Sequence, residues 1–170
     1  MHTVLHTQRL LLRPYTMDDV EAAYQVNLDP ETSRYTGDRG VKSREEIREI
    51  LQGRILTDYR LYGYGRFAVI YKATDRYIGF AGIKFLPEFG EPDIGYRFAS
   101  EYWGQGLATE AGHATIDFAF GTLGLPRLIG LVLPENTASV RVLEKLGFAY
   151  EKTVETEGLQ AAYYGLNRPG

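Results

Sequence analysis

Three β-rich segments follow one another in the middle of the chain, at residues 67–71, 77–85 and 92–98, with no helical pattern between them. A turn-like Thr-Asp-Arg break at residues 74–76 joins the first two as a hairpin. A doubly wound sheet would alternate its strands with helices, so this run argues against that architecture. It predicts instead a hairpin and a third strand that belong to one sheet.

Helix-start signals precede this run. Ser43 with Glu46 forms a capping box before a helix whose apolar residues 47, 50, 51 and 55 form one stripe. Thr16 with Asp19 resembles a second box, before a helix that ends near residue 27. Residues 59–65 are then interpreted as a connection to the hairpin.

The rest of the chain completes a layered pattern. Further helices are predicted at 104–123 and 136–146, with further strands at 9–15, 127–133, 148–156 and 159–166. The order β-α-α-β-β-β-α-β-α-β-β predicts an α+β layered domain over residues 1–170, with a mixed sheet and helices on both faces.

Composition narrows the kinds of site that the chain can carry. There is no cysteine, so disulfides, thiolate metal sites and cysteine nucleophiles are excluded. The three histidines are scattered, so we expect no metal site, and His113 is expected on a solvated helix face. The net charge is −3, and neither an apolar signal segment nor a run of 18 apolar residues is present. We therefore expect a cytoplasmic protein that binds neither nucleic acid nor membrane.

Gly104 and Gly106 lie where the third β-rich segment passes into a helix. Glycines let a backbone approach a ligand closely, and the unpaired amides of a first helical turn form an anion site that suits a pyrophosphate. A tight turn explains the two glycines equally well. The loop lacks the lysine of a P-loop, but its Gly-x-Gly-x-x-Thr pattern and Glu135 after the next strand keep a nucleotide-binding enzyme as an alternative.

Residues 103–108, Trp-Gly-Gln-Gly-Leu-Ala, resemble the coenzyme A pyrophosphate loop of the GNAT superfamily. Trp103 replaces the usual Gln or Arg, and Ala-Thr-Glu-Ala follows at residues 108–111. Both features resemble the branch of the RimJ/RimL-type ribosomal-protein N-terminal acetyltransferases. Residues 136–148 resemble a second hallmark of that branch, and residues 7–14 resemble its opening strand. The resemblance therefore covers nearly the whole chain.

This resemblance implies a central, mostly antiparallel sheet with helices on both faces and a V-shaped splay between two central strands. It implies acetyl-CoA (coenzyme A) as co-substrate, with its pantetheine entering the splay as an added strand does. Asn136 and Ser139 would contact the cofactor, although a helix N-cap and an ordinary first-turn serine are the alternative interpretations. The other residues implied to bind the cofactor are the loop residues Gln105, Gly106, Leu107, Ala108 and Thr109 and the strand-end residues Tyr96, Arg97, Phe98 and Ala99.

The implied activity is acetyl transfer to a primary amine by direct attack, with a small molecule or a protein N-terminus as the acceptor. Many members of the superfamily have a tyrosine acid at the position of Leu143, so Ser139, a water or no group takes that role here. Asp93 is the preferred general base, with Glu91 and Glu88 as further candidates and a surface carboxylate as its alternative interpretation. A non-catalytic acyl-CoA sensor is a second functional hypothesis. The acceptor, the tolerance for longer acyl groups and the choice between monomer and homodimer stay open.

Overall fold

The computed structural model describes residues 1–34 and 42–170, and its strands form one eight-stranded sheet in the order β1-β2-β3-β4-β5-β6-β8-β7. The hairpin and third strand predicted between residues 67 and 98 are adjacent and antiparallel in this sheet. The strands are β1 (Leu5–His6), β2 (Leu10–Pro14), β3 (Arg66–Tyr71), β4 (Arg76–Leu86), β5 (Glu91–Phe98), β6 (Arg127–Val132), β7 (Ala149–Thr156) and β8 (Leu159–Asn167).

Helices cover both faces of the sheet. Both predicted capping boxes are confirmed. The side chains of Thr16 and Ser43 accept main-chain amides of the first turn, and the side chains of Asp19 and Glu46 accept the amides of Thr16 and Ser43. The π-helical turn Leu51–Ile55 joins the second helix to the third, and a second one extends the fourth. The helices are α1 (Val20–Asn27), α2 (Arg44–Ile50), α3 (Leu56–Tyr62), α4 (Leu107–Asp117) and α5 (Thr137–Lys145), with the second π-helical turn at Phe118–Thr122.

The strands β5 and β6 form a parallel pair, whereas the other neighbouring strands pair antiparallel. The two strands are paired at one position, Asp93 with Ile129, although β5 continues to Phe98 and β6 to Val132. The two strands therefore separate beyond Asp93, and this separation is the predicted V-shaped splay. The predicted fold class is confirmed, and a doubly wound nucleotide-binding sheet is excluded.

The two faces of the sheet enclose different spaces, because successive residues of β5 point to opposite sides. Ile94 and Tyr96 face α4 and α5, where they border a small cavity of about 20 Å³ together with Leu143. Arg97 faces the other side, where α1, α2 and α3 cover a cavity of about 290 Å³. The strand β5 thus borders two unequal cavities, one on each face of the sheet.

Helix boundaries differ from the prediction in two places. The helix predicted from residue 104 begins at Leu107, because Gly104 and Gly106 have left-handed φ values of +74° and +79° that an α-helix does not contain. Residues 59–65, predicted as a connection, belong to α3 as far as Tyr62, where a left-handed Gly63 ends the helix. The strand β1 has two residues, too few for a periodic pattern to predict.

Candidate active site

The loop between β5 and α4 leaves a helix end open to a ligand. The space that a side chain at Gly104 would occupy is empty within 4 Å, and at Gly106 it meets one atom, Nη2 of Arg9 at 3.7 Å. Gly106 is the N-cap of α4 and has no side chain to bond the amides of the first turn. Those amides and the positive end of α4 form an anion site with room beside it. The predicted residues 105–109 lie together here.

Trp103, the residue that departs from the usual loop pattern, has a structural role in the same loop. Its indole Nε1 donates to the Phe98 carbonyl at 2.8 Å and so ties the loop to the end of β5. The Ala99 amide donates to the Ile78 carbonyl of β4 at 2.8 Å. Because main-chain groups alternate in direction along a strand, those of Tyr96 and Phe98 are directed to the splay. Of the four strand-end residues, these two have their main chain on the side where a ligand would pair.

A network that sequence analysis missed holds the opening strand to α4. Glu110 accepts bonds from the Thr7 hydroxyl at 2.6 Å and from the Arg9 amide and Nε at 2.7 Å each. Arg9 Nη1 also donates to the Gln105 carbonyl at 2.9 Å. A guanidinium is therefore fixed beside the open helix end. Thr7 and Arg9 of the opening-strand motif were the only sequence signal for this network, and their partners Glu110 and Gln105 are about a hundred residues away in the chain.

The Glu110 carboxylate is stabilised in its ionised form. Burial opposes ionisation, but the hydrogen bonds from Thr7 and Arg9 and the positive charge of Arg9 outweigh it and lower the pKa of Glu110. In the folded protein this group therefore binds its proton less readily than in the unfolded chain. The network contributes stability while Glu110 is ionised.

Asp93 is located where β5 and β6 begin to separate. Its side chain is buried, and its Oδ1 accepts the Leu131 amide of β6 at 3.2 Å, a bond that a main-chain carbonyl of β5 would accept in a continuing ladder. Its Oδ2 accepts Nη2 of Arg66 at 3.0 Å. Burial raises the pKa of Asp93, and the charge and hydrogen bond of Arg66 oppose that shift. The alternative interpretation of Asp93 as a surface carboxylate is wrong.

Arg66 reaches Asp93 by crossing the sheet. Its Nη1 donates to the Gly82 carbonyl of β4 at 2.6 Å and to the Asp93 carbonyl at 3.2 Å. The guanidinium lies over Gly95, where a Cβ would come within 2.6 Å of Nη2. Arg66 also lines the cavity of about 290 Å³, so one guanidinium borders the cavity and pairs with Asp93.

On the opposite face of β5, two hydroxyl groups meet at the start of α5. The Tyr96 hydroxyl and Ser139 Oγ lie 2.8 Å apart, and the Ser139 amide donates to Asn136 Oδ1 at 3.3 Å. The interpretation of Asn136 as the N-cap of α5 is confirmed. Burial raises the pKa of Tyr96, with the Ser139 bond opposing, so its phenol stays protonated at neutral pH. Leu143 is 6% exposed and borders the small cavity nearby.

The remaining candidates lie away from this geometry. Glu91 pairs with Arg127 at 3.6 Å, and Glu88 accepts from the Thr156 hydroxyl at 3.1 Å, both near the start of β5 and away from the end that separates from β6. His113 is exposed on α4, as predicted. Among residues 1–34 and 42–170, no group of three or more His, Cys, Asp and Glu side chains could hold a metal ion. None of the helices described is both long enough and apolar enough to cross a membrane.

Comparisons with known proteins agree with this geometry. The family model described as "Acetyltransferase (GNAT) domain" matches residues 9–149. "Uncharacterized N-acetyltransferase p20" of Bacillus licheniformis is 36% identical over 149 residues, which cover 86% of this chain and 83% of the relative. The crystal structure of a GNAT-family acetyltransferase from Bacillus anthracis has a TM-score of 0.81 at 28% identity and covers 97% of this chain and 98% of its own. The RimL ribosomal L7/L12 α-N-protein acetyltransferase in complex with coenzyme A also has a TM-score of 0.81, covering 97% and 98%, and at 21% identity this likeness shows the fold alone.

The network around Glu110 leads to a prediction on stability. We expect Glu110→Gln to lower the free energy of unfolding at pH 7 by about 1 kcal/mol, which corresponds to a decrease of about 2–4 °C in melting temperature. The effect is modest because Arg9 is partly exposed to water. A carboxyl with a lowered folded pKa stabilises the fold above its unfolded pKa of about 4.3 and stops doing so as the pH falls through the folded value. The difference between wild type and variant should therefore shrink below about pH 4.

Melting curves of both proteins between pH 3 and 8 measure this difference. Glu144→Gln, at an exposed position on α5, is the matched control and should change the melting temperature by less than about 1 °C. A constant gap between wild type and Glu110→Gln across the whole pH range would contradict the role of the charge.

Proposed function

The chain belongs to the GNAT acetyltransferase family, and from this premise we propose that it transfers an acetyl group from acetyl-CoA to a primary amine of a small molecule or a protein N-terminus. One observation carries the proposal. The strands β5 and β6 separate after a single matched position, and β5 leads directly into a helix start whose amides have no capping side chain. A strand-like pantetheine with a charged pyrophosphate at its end fits such an opening.

The residues present fit this co-substrate. The empty space at Gly104 and Gly106 would admit phosphate oxygens to the amides of residues 105–109, and Arg9 would add a fixed positive charge beside them. The main-chain groups of Tyr96 and Phe98 would pair with the pantetheine amides. Acetyl-CoA would supply the thioester whose carbonyl carbon the amine attacks.

The acceptor amine must be neutral to attack. An α-amine has a pKa of about 8 and is about one-tenth neutral at pH 7, whereas a lysine amine with a pKa of about 10.4 is almost fully protonated. An α-amine therefore needs little help from a base. Holding the amine beside the thioester supplies much of the rate enhancement, and main-chain donors at the splay would polarise the carbonyl oxygen.

A prediction on Gly106 tests both acetyl transfer and the position of the pyrophosphate. We expect the wild-type protein to release free coenzyme A thiol from acetyl-CoA in the presence of an accepted amine. Gly106→Val should raise the Kd for acetyl-CoA at least about tenfold, because a branched side chain at a left-handed φ distorts the loop and blocks the helix end. Calorimetry and a thiol-trapping assay provide the two measurements.

Gly158→Val is the matched control. Gly158 has a φ of +74°, close to the +79° of Gly106, and open space around it, but it lies in the turn between β7 and β8. Gly158→Val should lower the free energy of unfolding by a similar amount and leave the affinity for acetyl-CoA unchanged. Equal loss of affinity in both variants would refute this position of the pyrophosphate. Binding of acetyl-CoA without thiol release for any amine would favour the acyl-CoA sensor.

We propose that Ser139 donates a proton to the departing thiolate and takes one from the Tyr96 hydroxyl 2.8 Å away, and that the proton released by the attacking amine restores the pair. The two hydroxyls would take the role that a tyrosine has in other family members, since Leu143 cannot donate a proton. The N-cap bond of Ser139 uses its main-chain amide, so removing the hydroxyl leaves the cap of α5 intact.

Accordingly, Ser139→Ala should lower kcat by about 10²-fold with little change in the KM for acetyl-CoA, the usual effect of losing a positioned acid. Tyr96→Phe should have a smaller effect in the same direction. Steady-state kinetics on one accepted amine measures both variants, with Thr137→Ala in the same helical turn as the control. A kcat within threefold of wild type for Ser139→Ala would exclude it as the acid.

Asp93 stays our candidate for the general base. Burial raises the pKa of its carboxyl toward the working pH, as a base requires, and the charge and hydrogen bond of Arg66 oppose that shift. Its two oxygens are also occupied by Arg66 and the Leu131 amide, so a purely positioning role is the competing explanation. The two roles differ in their dependence on pH.

For a base, Asp93→Asn should lower kcat/KM by about 10²-fold, and the loss should shrink as pH rises and the amine deprotonates unaided. Asparagine keeps an oxygen for the Leu131 amide, so the fold should survive. Rates of wild type and variant from pH 6 to 9 measure the ratio, with Glu91→Gln and Glu88→Gln as controls. A constant ratio together with a lowered melting temperature would assign Asp93 to the support of the splay alone.

A further inference from the structure

We propose that the small cavity beneath α4 and α5 holds the acyl group of the co-substrate, and that Leu143 limits this group to acetyl. The inference rests on the proposed function and names the acyl class that the same site accepts. The position at which many family members have a tyrosine acid would then form a wall of the acyl site. Three observations carry the inference: the place of Leu143 over the splay, the size of the cavity and the chemistry of its lining.

Leu143 lies over the point where β5 and β6 separate. A Cβ at Gly130, one residue past the paired position of β6, would come within 2.8 Å of Leu143 Cδ2 and 3.5 Å of Ile94 Cγ2. Ile94 directly follows Asp93, the paired residue of β5. The side chains of Leu143 and Ile94 therefore close the narrow end of the splay on the face that α4 and α5 cover.

The direction of β5 places the acyl group at this narrow end. The strand runs from the vertex at Asp93 to Phe98 at the open end, and the loop after it leads to the open helix start at Gly106. A co-substrate with its pyrophosphate at Gly106 would therefore lie along β5 with its thioester innermost. Ser139, our candidate acid, is four residues before Leu143 on the same face of α5. The acyl carbons beyond the sulfur would then lie against Leu143.

The cavity has room for a single methyl group. Its volume is about 20 Å³, and about 10–15 Å³ is the space that one water-sized group requires. Close packing fixes its walls, because Leu143 lies against Gly130, and a Cβ at Gly112 would come within 2.5 Å of Leu146 Cδ1. A propionyl chain needs space for one further methylene, which closely packed walls do not supply without strain.

The lining of the cavity favours an apolar group. The Thr115 hydroxyl already donates to the Ala111 carbonyl at 2.8 Å. The Tyr96 hydroxyl is directed to Ser139. The apolar side chains of the lining are those of Ala81, Ile94, Leu143 and Leu146. Such a lining offers water few hydrogen bonds and suits the methyl group of a thioester.

Acyl-CoA thioesters of increasing length test the proposal. With one accepted amine in excess, we expect the wild-type kcat/KM to be at least about tenfold higher for acetyl-CoA than for propionyl-CoA, the discrimination that one methylene in an apolar pocket gives. Butyryl-CoA should be poorer still. Leu143→Ala should reduce the ratio of acetyl to propionyl at least about tenfold, because it removes one wall. The ratio compares two substrates on one protein, so a loss of folded protein does not change it.

A second variant enlarges the cavity from β5 with a milder change. Ile94→Val should shift the same ratio toward propionyl-CoA by at least about threefold, less than Leu143→Ala because it removes one methyl group. Ile70→Val is the matched control, since Ile70 and Ile94 are both 7% exposed and Ile94 is the one that borders the cavity. This control should leave the ratio unchanged. If Leu143→Ala does not fold, Ile94→Val decides the question.

Calorimetry with coenzyme A, acetyl-CoA and propionyl-CoA separates this inference from the proposed function. Leu143→Ala should leave the Kd of coenzyme A itself unchanged, since the free thiol places no acyl group in the cavity. Equal use of acetyl-CoA and propionyl-CoA by the wild type, or an unchanged ratio in the cavity variants, would overturn the acyl site alone. Binding of acetyl-CoA without thiol release for any amine would refute acetyl transfer, and the ratio of the two thioester Kd values would then decide the acyl site.

Discussion

The opening in the central sheet is organised around one carboxylate, at the point where the sheet divides. Asp93 accepts the Leu131 amide of β6 and the guanidinium of Arg66, which extends from β3 across β4. Four neighbouring strands are thus joined through side chains at a place where main-chain pairing ends. A sheet that separates without such a group would leave the half-buried Leu131 amide without this bond, at a cost of about 1 kcal/mol. The opening between β5 and β6 is therefore stable because its vertex is held by charge.

The alternation of β5 then assigns different chemistry to each side of that opening. Tyr96 faces α5 and meets Ser139, while Arg97 faces the larger cavity with its cationic side chains. A pair of hydroxyl groups and the larger cavity therefore lie on opposite faces of a single strand. The loop after β5 completes the arrangement, since Trp103 ties it to Phe98 and Gly106 begins α4 with its amides open.

Local signals allowed most of this fold to be predicted from sequence, as the capping boxes at Thr16 and Ser43 and the N-cap at Asn136 show. Each depends on residues within three or four positions of one another. The errors have equally specific sources: the start of α4 depended on the φ of its loop glycines, and the helical run continued across a π-helical turn as far as Tyr62, into residues predicted as a connection. The contacts of Arg9 and Arg66 could not be predicted, because an arginine in a strand does not indicate which distant carboxylate it will meet.

The path of Arg66 over Gly95 has a consequence for how this domain can evolve. Any side chain at position 95 would collide with the guanidinium, and loss of Arg66 would leave Asp93 buried without its counterion. The effects of substitutions at these positions on stability are therefore not additive. A substitution that destabilises the protein alone is tolerated only together with a compensating substitution at one of the other two positions. Positions 66, 93 and 95 therefore form an epistatic unit whose residues are expected to be inherited or replaced together.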